Sequence, residues 1–237
     1  MAWGEKYTQL VADCLAKSKV PDCSVVLITD EATNTDCLPH TVEVVRKPLQ
    51  FQGKLAKVEL LKSLPDDLEL VLFLDVDTII MEDISLGFDK AAMHGIAMAP
   101  APHFSIEHFR DFGQVMDRFN VPRQGQLLYN SGVIFFDAKN PDIIKVFDLA
   151  CELAAGDEKA VWSDQPYITL AIEMLGVNPY TLAPSFNHRA FGELVSGPIR
   201  IWHSYKPMPA DAGTLEPGYL HNYSGGKMMK VKKVPLA

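Results

Sequence analysis

Two aspartates, Asp75 and Asp77, stand one residue apart directly after the apolar run LVLFL of residues 70–74. Carboxylates so spaced at the end of a strand can reach one hard divalent cation, and that cation can bridge two phosphate oxygens. Without a cation the same two acids would repel one another and lose hydration at a cost. The plainer account is a pair of solvated loop acids, or a helix cap formed by Asp77 or Asp83. His203 ends a second strand-like run, IRIW at 199–202. An imidazole there is a good third ligand for manganese or a similar ion, and Lys206 follows closely enough to meet the same phosphates. A lone histidine, taken by itself, is more often a packed or surface residue.

Two polar clusters adjoin other expected elements. Asn130 and Ser131, with Tyr129 before and Gly132 after, open the apolar run VIFFD. Their amide and hydroxyl can bond sugar hydroxyls without charge, and Gly132 permits close backbone approach. Asn-Ser-Gly is equally good turn chemistry. Further on, Trp162-Ser163-Asp164-Gln165-Pro166 precedes a helical pattern. Asp164 or Ser163 suffices there as an ordinary N-cap with Pro166 in the first turn. The sharper alternative makes Asp164 and Gln165 polar walls of a sugar pocket. Between residues 103 and 125, His103, His108, Arg110 and Arg123 either face a second substrate or belong to a solvated loop.

The elements that position these groups are legible from periodicity. Apolar positions at Leu10, Val11, Cys14 and Leu15 define one helical face over 6–16, and SVVLIT at 24–29 reads as a buried strand. TVEVV at 41–45 alternates as a strand does, and residues 55–64 read as a helix stopped by Pro65. LVLFL is the most hydrophobic strand candidate. Its carboxyl end, where the aspartates sit, is where open α/β sheets bind ligands. Strands are also expected at 96–99, 131–136 and 199–202, with helices at 106–119, 143–154 and 165–175. This alternation predicts an α/β fold, a three-layer α/β/α sandwich of Rossmann-like type around a mixed, mostly parallel sheet. One domain is expected over 1–224. From Gly225 onward Lys227, Lys230, Lys232 and Lys233 occur without an acid, which reads as a solvated basic tail or a weak contact with an anionic membrane.

The chain has 237 residues, 48% of them hydrophobic, and a formal net charge of −8, which excludes a general nucleic-acid surface because phosphate backbones are held by Lys and Arg. An anionic ligand would need local help from a metal ion, backbone N–H groups or a few lysines. No stretch of about 18 apolar residues and no secretory leader is evident, and the four cysteines form no C-x-x-C pair. A cytoplasmic protein with buried thiols is therefore expected, its oligomeric state open.

Taken in order, LFLDVDTII, YNSGVIFFD, SDQPYITLAI and the closing His203 with Lys206-Pro207 resemble the family-8 glycosyltransferases, the group that includes glycogenin, bacterial lipopolysaccharide glycosyltransferases and galactinol synthase. The resemblance runs from about Trp3 to Pro207. It implies a GT-A fold, a UDP-sugar donor, Mn2+ (or Mg2+) as cofactor, and hexose transfer with retention to a carbohydrate, lipid or protein acceptor. It also implies Asp75, Asp77 and His203 as metal ligands, with Lys57, or Lys54 in its stead, near the donor sugar and phosphate. By the same resemblance Asn130, Ser131, Asp164 and Gln165 line the sugar and Lys206 touches the diphosphate. The chain departs from the family in two places. It opens at what would be the loop after the first strand, leaving a sheet without that strand or a base wall built from Trp3 and Tyr7. HSYKPM is also a shortened form of the closing motif.

Two rivals follow from the same residues. LFLDVDTII also resembles the first motif of haloacid-dehalogenase-type phosphatases, where one aspartate is a nucleophile. The departures from the family pattern equally suit a nucleotide-sugar-binding protein without turnover.

Overall fold

The computed structural model describes residues 1–109, 111–161, 163–191 and 193–234. In chain order the elements are α1 (Glu5–Lys17), β1 (Val25–Thr29), β2 (Val42–Arg46), α2 (Leu60–Ser63), β3 (Leu70–Leu74), β4 (Thr78–Ile80), α3 (Ser85–His94), β5 (Ile96–Ser105), α4 (Phe112–Arg118), β6 (Leu127–Asp137), α5 (Pro141–Gly156), α6 (Gln165–Met174), β7 (Tyr180–Thr181), β8 (His188–Arg189), β9 (Ile201–His203), β10 (Tyr219–Ser224) and β11 (Lys227–Lys233). Short 3-10 turns at Gly53–Glu59 and Pro184–Asn187 lead into α2 and β8.

The central sheet has the order β3-β6-β5-β7. Its middle strand β6 is buried along almost its whole length, and its side chains alternate between two cores. Ile134 and Phe136 face the larger core with α5 and α6, whereas Val133 and Phe135 face a second core with Ala91 of α3, Ile80 and Phe186. A period of two with both faces covered makes β6 the middle of three layers. Each fully buried phenylalanine there contributes about 1.5–3 kcal/mol. On α5 the residues Ile143, Val146, Phe147, Ala150 and Ala154 form one buried stripe at helical spacing. Its first turn is closed by Asn140, whose Oδ1 accepts from the N–H of Asp142 at 2.9 Å, with Pro141 at the start.

The sheet is mixed, with a smaller parallel share than alternation alone suggests, because β6 runs antiparallel to both β3 and β5. A separate three-stranded sheet, β4-β9-β8, abuts it, and β1 pairs in parallel with β2 alone. Residues 1–4 form no strand. Instead Ala2 runs beside β1, its N–H donating to the Ile28 carbonyl at 3.2 Å and its carbonyl accepting from the Thr29 hydroxyl at 2.6 Å.

Three expectations need correction. The helix expected over 106–119 is divided into a 3-10 turn at Ile106–His108 and the short α4, and Arg110 lies outside the described residues. The helix expected over 55–64 is 3-10 as far as Glu59 and α only over Leu60–Ser63. The basic segment expected as a tail is the strand β11, hairpinned on β10 with Met228 buried against Trp202, Ala212 and Tyr223, and with Lys230 ion-paired to Glu216. No described helix is long and apolar enough to cross a membrane.

Candidate metal centre

Backbone pairing brings the three ligand candidates together. The N–H of Asp75 donates to the Gly132 carbonyl at 2.8 Å, continuing the β3–β6 register one residue past Leu74↔Val133. On its other side Thr78 pairs with His203 across β4 and β9, and the Asp77 carbonyl accepts from the Ser204 N–H at 2.9 Å. The aspartate turn is thus held between two sheets. Asp75 Oδ2 and Asp77 Oδ1 lie 3.6 and 3.3 Å from His203 Nε2. One ligand atom from each of the three residues falls within 4.8 Å of the others.

Gly132 makes this approach possible. A Cβ there would lie 2.0 Å from His203 Cε1 and 2.7 Å from Asp75 Oδ2. The Asn-Ser-Gly segment is accordingly no turn. It is the interior of β6, with Asn130 and Ser131 each 3% exposed.

A chain of hydrogen bonds orients the histidine. The Gly132 N–H can only donate, so the Asn130 atom it meets at 3.0 Å is the carbonyl Oδ1. That oxygen also accepts from Asn187 Nδ2 at 2.8 Å, which turns the Asn187 oxygen toward His203 Nδ1 at 2.7 Å. In the neutral imidazole, Nδ1 therefore carries the proton and Nε2 presents its lone pair to the two aspartates. Three acceptors facing one point repel unless a cation sits among them. An ion with bonds of about 2.1 Å holds adjacent ligand atoms about 3 Å apart, and the two separations from Nε2, 3.3 and 3.6 Å, are slightly longer than that. Sequence reading missed Asn187; its only signal was a polar residue amid the buried run around Phe186.

Lys57 and Asp164 form the adjoining layer. Lys57 Nζ lies 3.0 Å from Asp75 Oδ1 and 3.3 Å from Asp164 Oδ2, and it donates to the Ser131 carbonyl at 2.9 Å. Burial pushes this ammonium down, but the carboxylates of Asp164 and Asp75 outweigh it and hold its pKa above the usual lysine value. Burial also pushes Asp75 up, and the charge of Lys57 with its hydrogen bond outweighs this and brings it below the ordinary carboxylate range. Asp164, 2% exposed, is raised by burial with Asp75 adding to the effect and Lys57 opposing it. Asp164 occupies the N-cap position of α6 yet makes no side-chain cap bond, so the ordinary capping account of this segment does not apply.

These groups open on a cavity of about 630 Å³, a volume suited to a small organic ligand. Lys54, Lys57, Asn130, Ser131, Asp164 and Gln165 line it beside the metal candidates, and Trp3, Tyr7, Arg189 and Tyr205 complete the wall. Lys206 is not on this wall. Its ammonium donates to the Ala190 carbonyl at 3.2 Å and lies over the rings of Phe191 and Tyr223. His108 and Arg123 are also off the wall, paired with Glu107 and Asp117 respectively. Trp162 and the His103 side chain lie outside the described residues.

Neither a family profile nor a curated protein matches the sequence. Solved structures do match the fold. Galactosyltransferase LgtC, in complex with donor and acceptor sugar analogues, superposes with a TM-score of 0.61 at 14% identity, over 86% of each chain. Mouse xyloside xylosyltransferase 1 gives 0.55 at 15% identity, over 86% of this chain and 94% of that one. The bifunctional glycosyltransferase WbbM gives 0.57 at 14% identity, over 80% of this chain and 39% of that one. The chain thus has the α/β fold of the GT-A glycosyltransferases.

Proposed function

We propose that the protein is a metal-dependent glycosyltransferase that moves a hexose from a UDP-sugar to an acceptor, with retention of anomeric configuration. The observation that carries this reading is the convergence of Asp75, Asp77 and the Nε2 lone pair of His203 on one point of a ligand-sized cavity. A divalent cation held there would supply positive charge to the departing diphosphate. Asn130, Asp164 and Gln165 would bond the donor sugar, while Lys57 fixes Asp75 and Asp164 relative to one another. Trp3 and Tyr7 supply aromatic surface for the base in the absence of a strand at residues 1–4. The glycosyltransferase folds with which the chain aligns support the reaction class, and the motif order quoted above supports UDP-sugar and retention. A cytoplasmic setting belongs to the same proposal, supported by four free thiols. The aligned folds named above are those of glycosyltransferases, which favours this reading over the phosphatase alternative.

Calorimetric titration of UDP and a panel of UDP-sugars, with and without Mn2+, tests the proposal. Manganese-dependent binding is expected in the native protein and is absent from an Asp75→Asn/Asp77→Asn variant. Binding without release of free sugar or transfer to any acceptor would favour the non-catalytic binding protein. No nucleotide binding at all would overturn the assignment.

A further inference from the structure

We infer that Arg189, on β8, is the protein cation that meets the diphosphate of the bound nucleotide-sugar, and that Lys206 instead braces the loop that carries it. The inference rests on the nucleotide-sugar reading above and concerns which residue performs one of its tasks.

A divalent ion at Asp75, Asp77 and His203 is balanced by the two carboxylates, and the ammonium of Lys57 is shared between Asp75 and Asp164. Lys54, also on the cavity wall, lies within electrostatic reach of Asp75. A diphosphate brings several negative charges into this space, so a cation whose charge is not already committed to a carboxylate is needed beside the ion. Among the described residues Arg189 meets that need. Among the described residues no carboxylate lies within ion-pair distance of it, Glu193 acts on it only from farther off, its side chain donates no hydrogen bond, and its Nε is buried without a partner.

Its direction follows from register. Strands β8 and β9 run parallel with His188 opposite Trp202 and Arg189 opposite His203. Paired residues on neighbouring strands share a face of the sheet. The rings of His188 and Trp202 meet at 5.6 Å on one face, which puts Arg189 and His203 together on the other. That is the face on which His203 turns Nε2 to the aspartates, and Arg189 lines the same cavity. Neighbouring strands are about 4.8 Å apart, so a phosphate oxygen on an ion at His203 falls within reach of the guanidinium. The fork geometry of arginine suits two phosphate oxygens at once.

The surroundings hold this side chain in place. The guanidinium stacks on Phe191 at 5.0 Å, and Phe191 is 60% exposed. Lys206 approaches the same ring at 5.4 Å while its ammonium donates to the Ala190 carbonyl. Lys206 therefore ties the 189–191 segment down, and it is not among the residues that line the cavity.

The test is a comparison of Mn2+-dependent UDP binding with uridine binding in Arg189→Gln, Arg189→Lys and Lys206→Gln proteins, each first checked for an unchanged melting profile. Loss of a charge-assisted contact corresponds to about a 10- to 100-fold weaker affinity. The expected result is that loss for UDP in Arg189→Gln, an intermediate value in Arg189→Lys, uridine affinity within about twofold throughout, and a smaller effect of Lys206→Gln. Native UDP affinity in Arg189→Gln, or the 10- to 100-fold loss appearing in Lys206→Gln, overturns the assignment to Arg189 while leaving the nucleotide-sugar reading intact. Failure of the unaltered protein to bind UDP with Mn2+ overturns both.

Discussion

Gly132→Ala adds one methyl group at the crossing of β6 with the aspartate turn, and the structure sets its consequence. The added Cβ would lie 2.0 Å from His203 Cε1, 2.7 Å from Asp75 Oδ2 and 2.8 Å from His203 Nδ1, where ordinary contact begins at 3.4 Å. Something must move by more than 1 Å. The β6 backbone cannot yield cheaply, since its Gly132 N–H and carbonyl are both bonded, to Asn130 and Asp75. His203 is 2% exposed and sits inside a sheet. Overpacking of this kind costs about 1–3 kcal/mol of stability. The relief most open to the protein is displacement of Asp75 and His203, two of the three proposed ligands. Shifts of that order cost 10- to 100-fold or more in metal affinity, by the scale of lost ligand orientation. Manganese titration followed by electron paramagnetic resonance, with a thermal melt of the same sample, reads both effects. A variant that binds Mn2+ as tightly as the native protein would refute the argument that these three residues share one ion.

Two further expectations follow from the buried polar groups. Asn187→Leu removes the acceptor for His203 Nδ1–H and the donor to Asn130, so Mn2+ affinity should fall about 10- to 100-fold. Nitrogen-15 shifts of His203 in the metal-free variant should move away from the Nδ1–H tautomer; an unchanged tautomer would refute the hydrogen-bond chain. Glu193, 9% exposed, is pushed up to about 8 by burial, although the Arg189 N–H donates to it. A carboxyl raised in the folded state is stabilising below its unfolded pKa of about 4.3, and that contribution is lost as pH rises toward 8. Urea midpoints should therefore fall across this window with a slope of up to about 1.4 kcal/mol per pH unit, and Glu193→Gln should flatten it. Parallel curves for the two proteins would show that Glu193 is not the group responsible.

Much of the framework is legible in the order of residues. LVLFL and VIFFD fold as β3 and β6 because their apolar side chains alternate between the two cores, with β6 buried along almost its whole length and β3 at the sheet edge buried at Phe73, and the aspartates follow at the strand end where a chain leaves the sheet. The α5 stripe and its Pro141 start are equally local signals. The short strands β7 and β8 carry no such signal, since two residues have no period to read.

The sequence alone therefore determined the main strands and helices and named Asp75, Asp77 and His203 as candidates, because periodicity and residue type are local properties. Tertiary structure decided what those residues face. Only strand register set Arg189 beside His203, and only the packing of the 189–191 segment engaged Lys206 with the Ala190 carbonyl. Only the meeting of β6 with the 184–187 turn let Asn187 fix the histidine proton. Only the long-range pairing of Lys57 with Asp164 took a residue that reads as a helix cap and buried it as a partner of an ammonium. In each case the deciding distance joins residues remote in the chain, and such distances exist only once the layers have packed.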